Sequence, residues 1–222
     1  MKYCFHNNNA QDLILFFSGW GCDENQFTNL HDNKDVLILY DYHDLTLDFD
    51  FSKYANIYII AYSAGVFAAS VMADKLPHIR QKIAVCGNPY LFDKTLGLSP
   101  KIIQVFRKIS LDNYLDFRKK YMVFIEDEYE KYNQLQSLRT IESCQEELDA
   151  LKSIYEQKKH QINPLFDKAV MAENDLIFRL PIQKDFYKDK LQVIKNARHH
   201  IFFRFNSFED ILRLAASSSV FL

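Results

Sequence analysis

The chain has 222 residues, 48% hydrophobic and 25% charged, which fits one globular domain and excludes a disordered chain. Its 27 Lys and Arg stand against 29 Asp and Glu, a net charge of −2, so no broad positive field invites a nucleic-acid backbone. No apolar run approaches the ~20 residues that cross a bilayer, and the start, Met1-Lys2-Tyr3-Cys4-Phe5-His6, lacks the apolar core of a secretory signal. The expectation is a cytoplasmic protein with neither nucleic-acid nor membrane partners.

Four strand-length apolar runs mark the first half: Leu13–Phe17, Val36–Tyr40, Ile57–Ile60 and Ile83–Cys86. Runs apolar on both faces suit strands of a parallel sheet covered by helices. Gly65–Leu76, between the third and fourth, reads as a buried helix ended before Pro77. Strand, helix and strand at this spacing make a βαβ unit.

From Pro100 to Asn163 the strand signals stop. The stretch is helical, with a break near Thr140 and a helix start at Cys144, capped by Ser143 with Glu146. Strand signals return at Lys168–Met171 and Leu191–Ile194, and Ser207 caps a last helix, Phe208–Ala216. The expected organisation is an α/β core from 1–99 and 164–222, interrupted by a helical insertion at 100–163.

Cysteine and glycine are both informative. Cys4, Cys22, Cys86 and Cys144 are scattered with no CxxC pair, so free thiols are expected, most of them buried, and no metal site. Average usage would give about fifteen glycines; there are five, at 19, 21, 65, 87 and 97. Glycine this scarce marks places where the backbone needs close approach or positive φ.

Ala61-Tyr62-Ser63-Ala64-Gly65 joins the third strand to the buried helix. Such a turn lifts a serine hydroxyl to the carboxyl edge of a sheet, with small residues two before and two after it. The common form is GxSxG; here Ala61 takes the first glycine's place. A serine needs a base and an orienting acid, which follow it in chain order in this architecture. His199-His200 lies after the last strand run, and Asp175 after Lys168–Met171. Asp93, after the Ile83–Cys86 run, is the rival acid. The remaining histidines, 6, 31, 43, 78 and 160, are expected at the surface. Oxyanion donors are expected from the amide of Ala64 and from Ser18-Gly19-Trp20-Gly21, where the Trp20 N–H could face the site.

Phe17-Ser18-Gly19-Trp20-Gly21, Tyr40-Asp41-Tyr42, Leu47-Asp48-Phe49-Asp50, Ala61–Gly65, Asn174–Phe178 and His199–Phe205 together resemble the BioG-type pimeloyl-[acyl-carrier protein] methyl ester esterases. The resemblance runs in order over most of the chain and is weakest through the insertion. It implies an α/β-hydrolase, with a mostly parallel central sheet flanked by helices and a helical lid. It also implies hydrolysis of the pimeloyl-carrier methyl ester in biotin synthesis, without a cofactor. Carried over, Ser63 is the nucleophile, His199 the base and then acid, Asp175 its orienter, and Trp20 and Ala64 the oxyanion donors. Two departures are Ala61 and the Ser18-Gly19 pair where hydrolases often have His-Gly.

The insertion is polarised. Residues 101–120 hold six Lys/Arg against two Asp, and residues 121–150 hold two against eight acidic groups. Arg118, Lys119 and Lys120 are therefore candidates to dock an acidic acyl carrier protein. Phe106, Leu111, Tyr114, Leu115, Phe117 and Tyr121 are candidate walls of an acyl channel. The alternatives are a broader acyl esterase or thioesterase, and a non-catalytic module that binds the carrier.

Overall fold

The computed structural model describes residues 1–216; the last six residues of the expected core segment, 217–222, lie outside the described residues. Among the described residues seven strands form one sheet: β1 (Lys2–His6), β2 (Asp12–Phe17), β3 (Asp35–Tyr40), β4 (Asn56–Tyr62), β5 (Ile79–Val85), β6 (Lys168–Ala172) and β7 (Leu191–Ile194). Their order across the sheet is β1-β3-β2-β4-β5-β6-β7. Only β1 runs antiparallel, pairing with β3; every other pair is parallel.

The core strands form where the apolar runs were read, because each is covered on both faces. Leu13 through Phe17 are all fully buried, as are Ile59 through Tyr62. Helix α1 (Ala64–Met72) is buried along its whole length and passes into a 3₁₀ turn, Ala73–Lys75. β1 was not foreseen. Its Lys-Tyr-Cys-Phe-His string is too polar to read as a buried run, and its residues are exposed or half-buried at the sheet edge.

Between β5 and β6 lie α2 (Pro100–Arg107), α3 (Tyr114–Phe117) with a π-helical continuation Arg118–Met122, α4 (Glu126–Gln134) and α5 (Ile141–Lys158). The α5 start corrects the sequence expectation: the cap is Thr140, whose Oγ accepts the Ser143 N–H at 3.2 Å, so Ser143 lies inside the helix. Helices α6 (Leu180–Tyr187) and α7 (Phe208–Ala216) complete the layers. Ser207 caps α7 as expected: its Oγ accepts the Asp210 N–H, and Asp210 accepts the Ser207 N–H in return. Among the described residues, no helix is long and apolar enough to cross a membrane.

The register aligns the carboxyl ends of the central strands. Phe17 pairs with Ala61, Tyr62 with Val85, Val85 with Val170, and Ala172 with Ile194. The loops carrying Trp20, Ser63, Asp175 and His199 therefore leave one edge of the sheet, where parallel sheets place their sites.

Candidate active site

Ser63 sits between β4 and α1 with φ +54° and ψ −121°. A side-chain-bearing residue held there stores about 1–3 kcal/mol of backbone strain, so its surroundings must impose the turn. Two glycines allow them to. A Cβ on Gly65 would stand 2.3 Å from the Phe17 carbonyl oxygen and 2.4 Å from that of Ser18, and one on Gly87 would stand 2.5 Å from the Ser63 carbonyl oxygen. The first lets α1 press against the end of β2; the second lets the loop after β5 pass under the turn. The Ser63 N–H is tied to Val85 O at 2.9 Å. Ala61 is fully buried within β4, paired with Phe17 and Ala84, so a methyl fits where the common elbow has glycine.

The structure brings Ser63, His199 and Asp175 into one hydrogen-bonded line. His199 Nε2 lies 2.9 Å from Ser63 Oγ, and His199 Nδ1 lies 2.9 Å from Asp175 Oδ2. An ionised carboxylate only accepts, so Nδ1 carries the proton and Nε2 is free to receive the serine's. The other carboxylate oxygen accepts the amides of Ile177 and Phe178 at 2.8 and 3.0 Å, which fixes the acid's orientation. Phe178 stacks on the imidazole at 6.1 Å and 16°. The acid and histidine loops are also joined directly, Asn174 N–H to Ala197 O and Glu173 Oε2 to the Asn196 amide. Asp93 is committed elsewhere: its carboxylate caps its own turn through the amides of Thr95 and Leu96.

Sequence reading missed Cys86. Its Sγ lies with an Asp175 carboxylate oxygen and a His199 ring nitrogen in a buried group, all within 4.8 Å of one another. Burial pushes the thiol's pKa well up, and the Asp175 charge adds to this, so it remains a neutral neighbour of the acid. All four cysteines are free as expected; Cys22 and Cys86 are buried, and Cys4 and Cys144 half-buried. The histidines at 6, 31, 43, 78 and 160 are all exposed.

His200 is buried but separate from the array. Its ring is surrounded by Phe27, Tyr62, Tyr132, Phe202 and Phe203, and among the described residues neither ring nitrogen has a hydrogen-bond partner. Burial, and then the neighbouring His199, pull its pKa down to about 3. Unfolded, the ring takes a proton below about 6.5, so its contribution is complete above that value and drains as pH falls toward 3. Asp35, held down to about 2, loses its contribution only below the ordinary carboxylate range. The melting temperature is expected to fall between pH 6.5 and 4.5, and less steeply in His200→Phe. Equal slopes in the two proteins would contradict this.

A cavity of about 60 Å³ opens beside the serine, lined mainly by apolar groups from the sheet-edge loops and the helices between β5 and β6, among them Trp20, Phe106, Tyr114, Phe117 and Leu148. Of the expected channel walls, Phe106, Tyr114 and Phe117 face it. Leu111 and Leu115 are 84% and 55% exposed, and Tyr121 stacks behind Phe117 at 5.2 Å. Trp20 and Ala64 both line the cavity beside Ser63.

The docking triplet needs correction. Arg118 is 1% exposed, its guanidinium packed on the Tyr114 ring at 4.0 Å and donating to Asn133 Oδ1 and Gln136 Oε1. A planar, weakly hydrated cation suits such a site, so Arg118 knits α3 to α4 and the turn after it and is not presented at the surface. Lys119 and Lys120 are exposed.

Sheet order, strained serine turn and helical layers define the chain as an α/β-hydrolase. The lipase-esterase related protein of Clostridium acetobutylicum shares the fold, at a TM-score of 0.63 and 18% identity, covering 97% of this chain and 96% of that one. The family model described as Pimeloyl-ACP methyl esterase BioG matches residues 1–211, and the chain belongs to this family. The crystal structure of SeMet-BioG from Haemophilus influenzae is similar at a TM-score of 0.82 and 28% identity, covering 95% of this chain and 99% of that one. A malonyl-[acyl-carrier protein] O-methyltransferase of Bacteroides fragilis is 34% identical over 174 residues, 76% of this chain. The chain spans about a third of that relative's length, the match covering 35% of it.

Proposed function

We propose that the protein hydrolyses the methyl ester of pimeloyl-[acyl-carrier protein], releasing methanol, through a covalent acyl-enzyme on Ser63. The observation that carries this is the line Ser63 Oγ–His199 Nε2, His199 Nδ1–Asp175 Oδ2, each step 2.9 Å, at the mouth of an apolar cavity. Ser63 attacks the ester carbonyl as His199 takes its proton, and the Trp20 and Ala64 amides receive the oxyanion. The tetrahedral intermediate collapses, and methoxide leaves with the proton from His199. Water, activated by the same imidazole, then attacks the acyl-enzyme, returning the serine and freeing a carboxylate at the end of the pimeloyl chain. Asp175 holds the ring in the required tautomer and stabilises its cationic form.

The insertion, residues 100–163, acts in this reading as the lid, since Phe106, Tyr114, Phe117 and Leu148 line the cavity. The carrier docks beside it, with exposed Lys119 and Lys120 meeting its acidic surface. Rim charges act mainly on encounter and are screened by salt. Lys119→Glu/Lys120→Glu is therefore expected to lower kcat/KM on the carrier-bound ester about tenfold at low salt, with little effect on free dimethyl pimelate. No change on the carrier-bound ester would refute this docking surface.

The substrate is tested by comparing kcat/KM for the carrier-bound pimeloyl methyl ester with values for short p-nitrophenyl esters and for acyl-carrier thioesters. A clear preference for the carrier-bound methyl ester is expected. Equal activity on all three would leave a broader acyl esterase, and no hydrolysis of any would leave a carrier-binding module.

A further inference from the structure

The insertion does more than line the cavity. Glu147 of α5 is fully buried and points its carboxylate at two backbone amides: Oε2 accepts the Gly21 N–H at 2.9 Å, and Oε1 accepts the Tyr42 N–H at 2.8 Å. Gly21 directly follows Trp20. The Trp20 indole is gripped from the same helix, its Nε1–H donating to Cys144 O at 2.6 Å, and its ring stacks on Phe106 of α2 at 4.5 Å and 19°. The Tyr42 hydroxyl donates within reach of the Ser18 carbonyl, at 3.0 Å. The loop from Ser18 to Gly21 is thus held from the insertion and from the segment after β3.

Glu147 is itself held in place. Arg139 donates to Glu147 Oε2 at 2.6 Å and to Asp41 Oδ1 at 2.7 Å, and it also reaches Ser143. Asp41 has φ +59° and also meets Lys2 and His43. This accounts for the Tyr40-Asp41-Tyr42 string, which the hydrolytic chemistry itself leaves unused. Burying a carboxylate is costly unless it is paired and hydrogen-bonded, and here its bonds bear on the peptide next to the Trp20 amide.

We propose that Glu147, braced by Arg139 and Asp41, is a positioning residue that aims the Trp20 amide at the oxyanion, so that the insertion completes the catalytic site as well as covering it. The inference rests on the esterase reading above. An oxyanion donor acts only if it is fixed near 3 Å from where the charge develops, and the loop's backbone bonds, Ser18 N–H to Leu39 O at 2.9 Å and Cys22 N–H to Gly19 O at 3.2 Å, lie to either side of the Trp20 N–H. Without Glu147 the Gly21 and Tyr42 amides lose their acceptor, and the backbone on the Gly21 side of Trp20 loses its tether, leaving the indole grip to hold the residue.

The test is Glu147→Gln, whose amide keeps the shape but offers one acceptor oxygen for two N–H groups. Wild type and variant are compared on a short p-nitrophenyl ester, and then for affinity toward a trifluoromethyl ketone, which forms a tetrahedral oxyanion adduct on the serine. The expected result is a kcat lower by about 10–100-fold, KM within about twofold, and ketone affinity falling in step with kcat. Asp41→Asn, which loosens only the brace, is expected to fall between the two. Arg139→Gln/Glu147→Gln, which leaves no unpaired buried guanidinium, keeps the question open to measurement should the single variant fold poorly. A folded variant that keeps wild-type kcat and ketone affinity overturns the proposal. A wild type that hydrolyses no ester overturns the underlying reading instead, and shows it before any variant is made.

Discussion

Asp175→Asn is expected to lower kcat by about 10⁴-fold, while Asp93→Asn leaves it within about twofold, as for a change remote from the chemistry. The asymmetry follows from what each carboxylate holds. Asp175 Oδ2 accepts from His199 Nδ1, which leaves Nε2 as the acceptor facing Ser63. An amide turned with its NH₂ toward the ring favours the opposite tautomer, with the proton on Nε2, where it blocks transfer from the serine. The Ile177 and Phe178 amides keep an acceptor in the remaining oxygen, so the fold should survive and the loss should appear in turnover. The Asp93 carboxylate caps its own turn, at Thr95 and Leu96. Comparable losses in the two variants, or a larger one at Asp93, would overturn the assignment of the acid.

Gly65→Ala is expected to lower the melting temperature by about 10 °C, from about 3 kcal/mol of overpacking, and to reduce kcat by about 10²-fold. The added methyl would meet the carbonyl oxygens of Phe17 and Ser18 at 2.3 and 2.4 Å. Those atoms are backbone, at the end of β2 and the start of the loop bearing Trp20, so no rotamer change relieves the clash. Either α1 lifts, carrying Ser63 with it, or the loop retreats from the serine. Both separate Ser63 from the Trp20 amide, which ties the stability and activity losses together. A variant that melts and turns over like wild type would show that the approach of α1 to β2 is looser than described.

The chemistry along the sheet edge was legible because each part lies in a short local pattern. Ser63 follows a buried strand and precedes a buried helix, and scarce glycines stand at the close approaches. Asp175 and His199 follow later strand runs in the expected order. The choice between Asp175 and Asp93 was not legible, since it depends on which loop faces the histidine, a relation set by the β5, β6 and β7 register. Arg118 was misread for a related reason. In sequence it belongs to a basic run, yet Tyr114 four residues before it supplies a ring that takes the guanidinium inside. Thr140 displaced Ser143 as the α5 cap because both are hydroxyl residues at a break, and the acidic residue after Ser143 misled. Glu147 carried one unused signal: it adjoins the buried stripe of Leu148, Leu151 and Tyr155, a carboxylate on the apolar face of a helix. Its partners Gly21, Tyr42 and Arg139 lie far apart in the chain and could be joined only by the fold.

The most direct test is methanol release from pimeloyl-[acyl-carrier protein] methyl ester, measured for the wild type and Ser63→Ala side by side. The account predicts release by the wild type and a loss of about 10⁶-fold in the variant, with the variant's circular dichroism and melting unchanged. Release that persists in Ser63→Ala would contradict it.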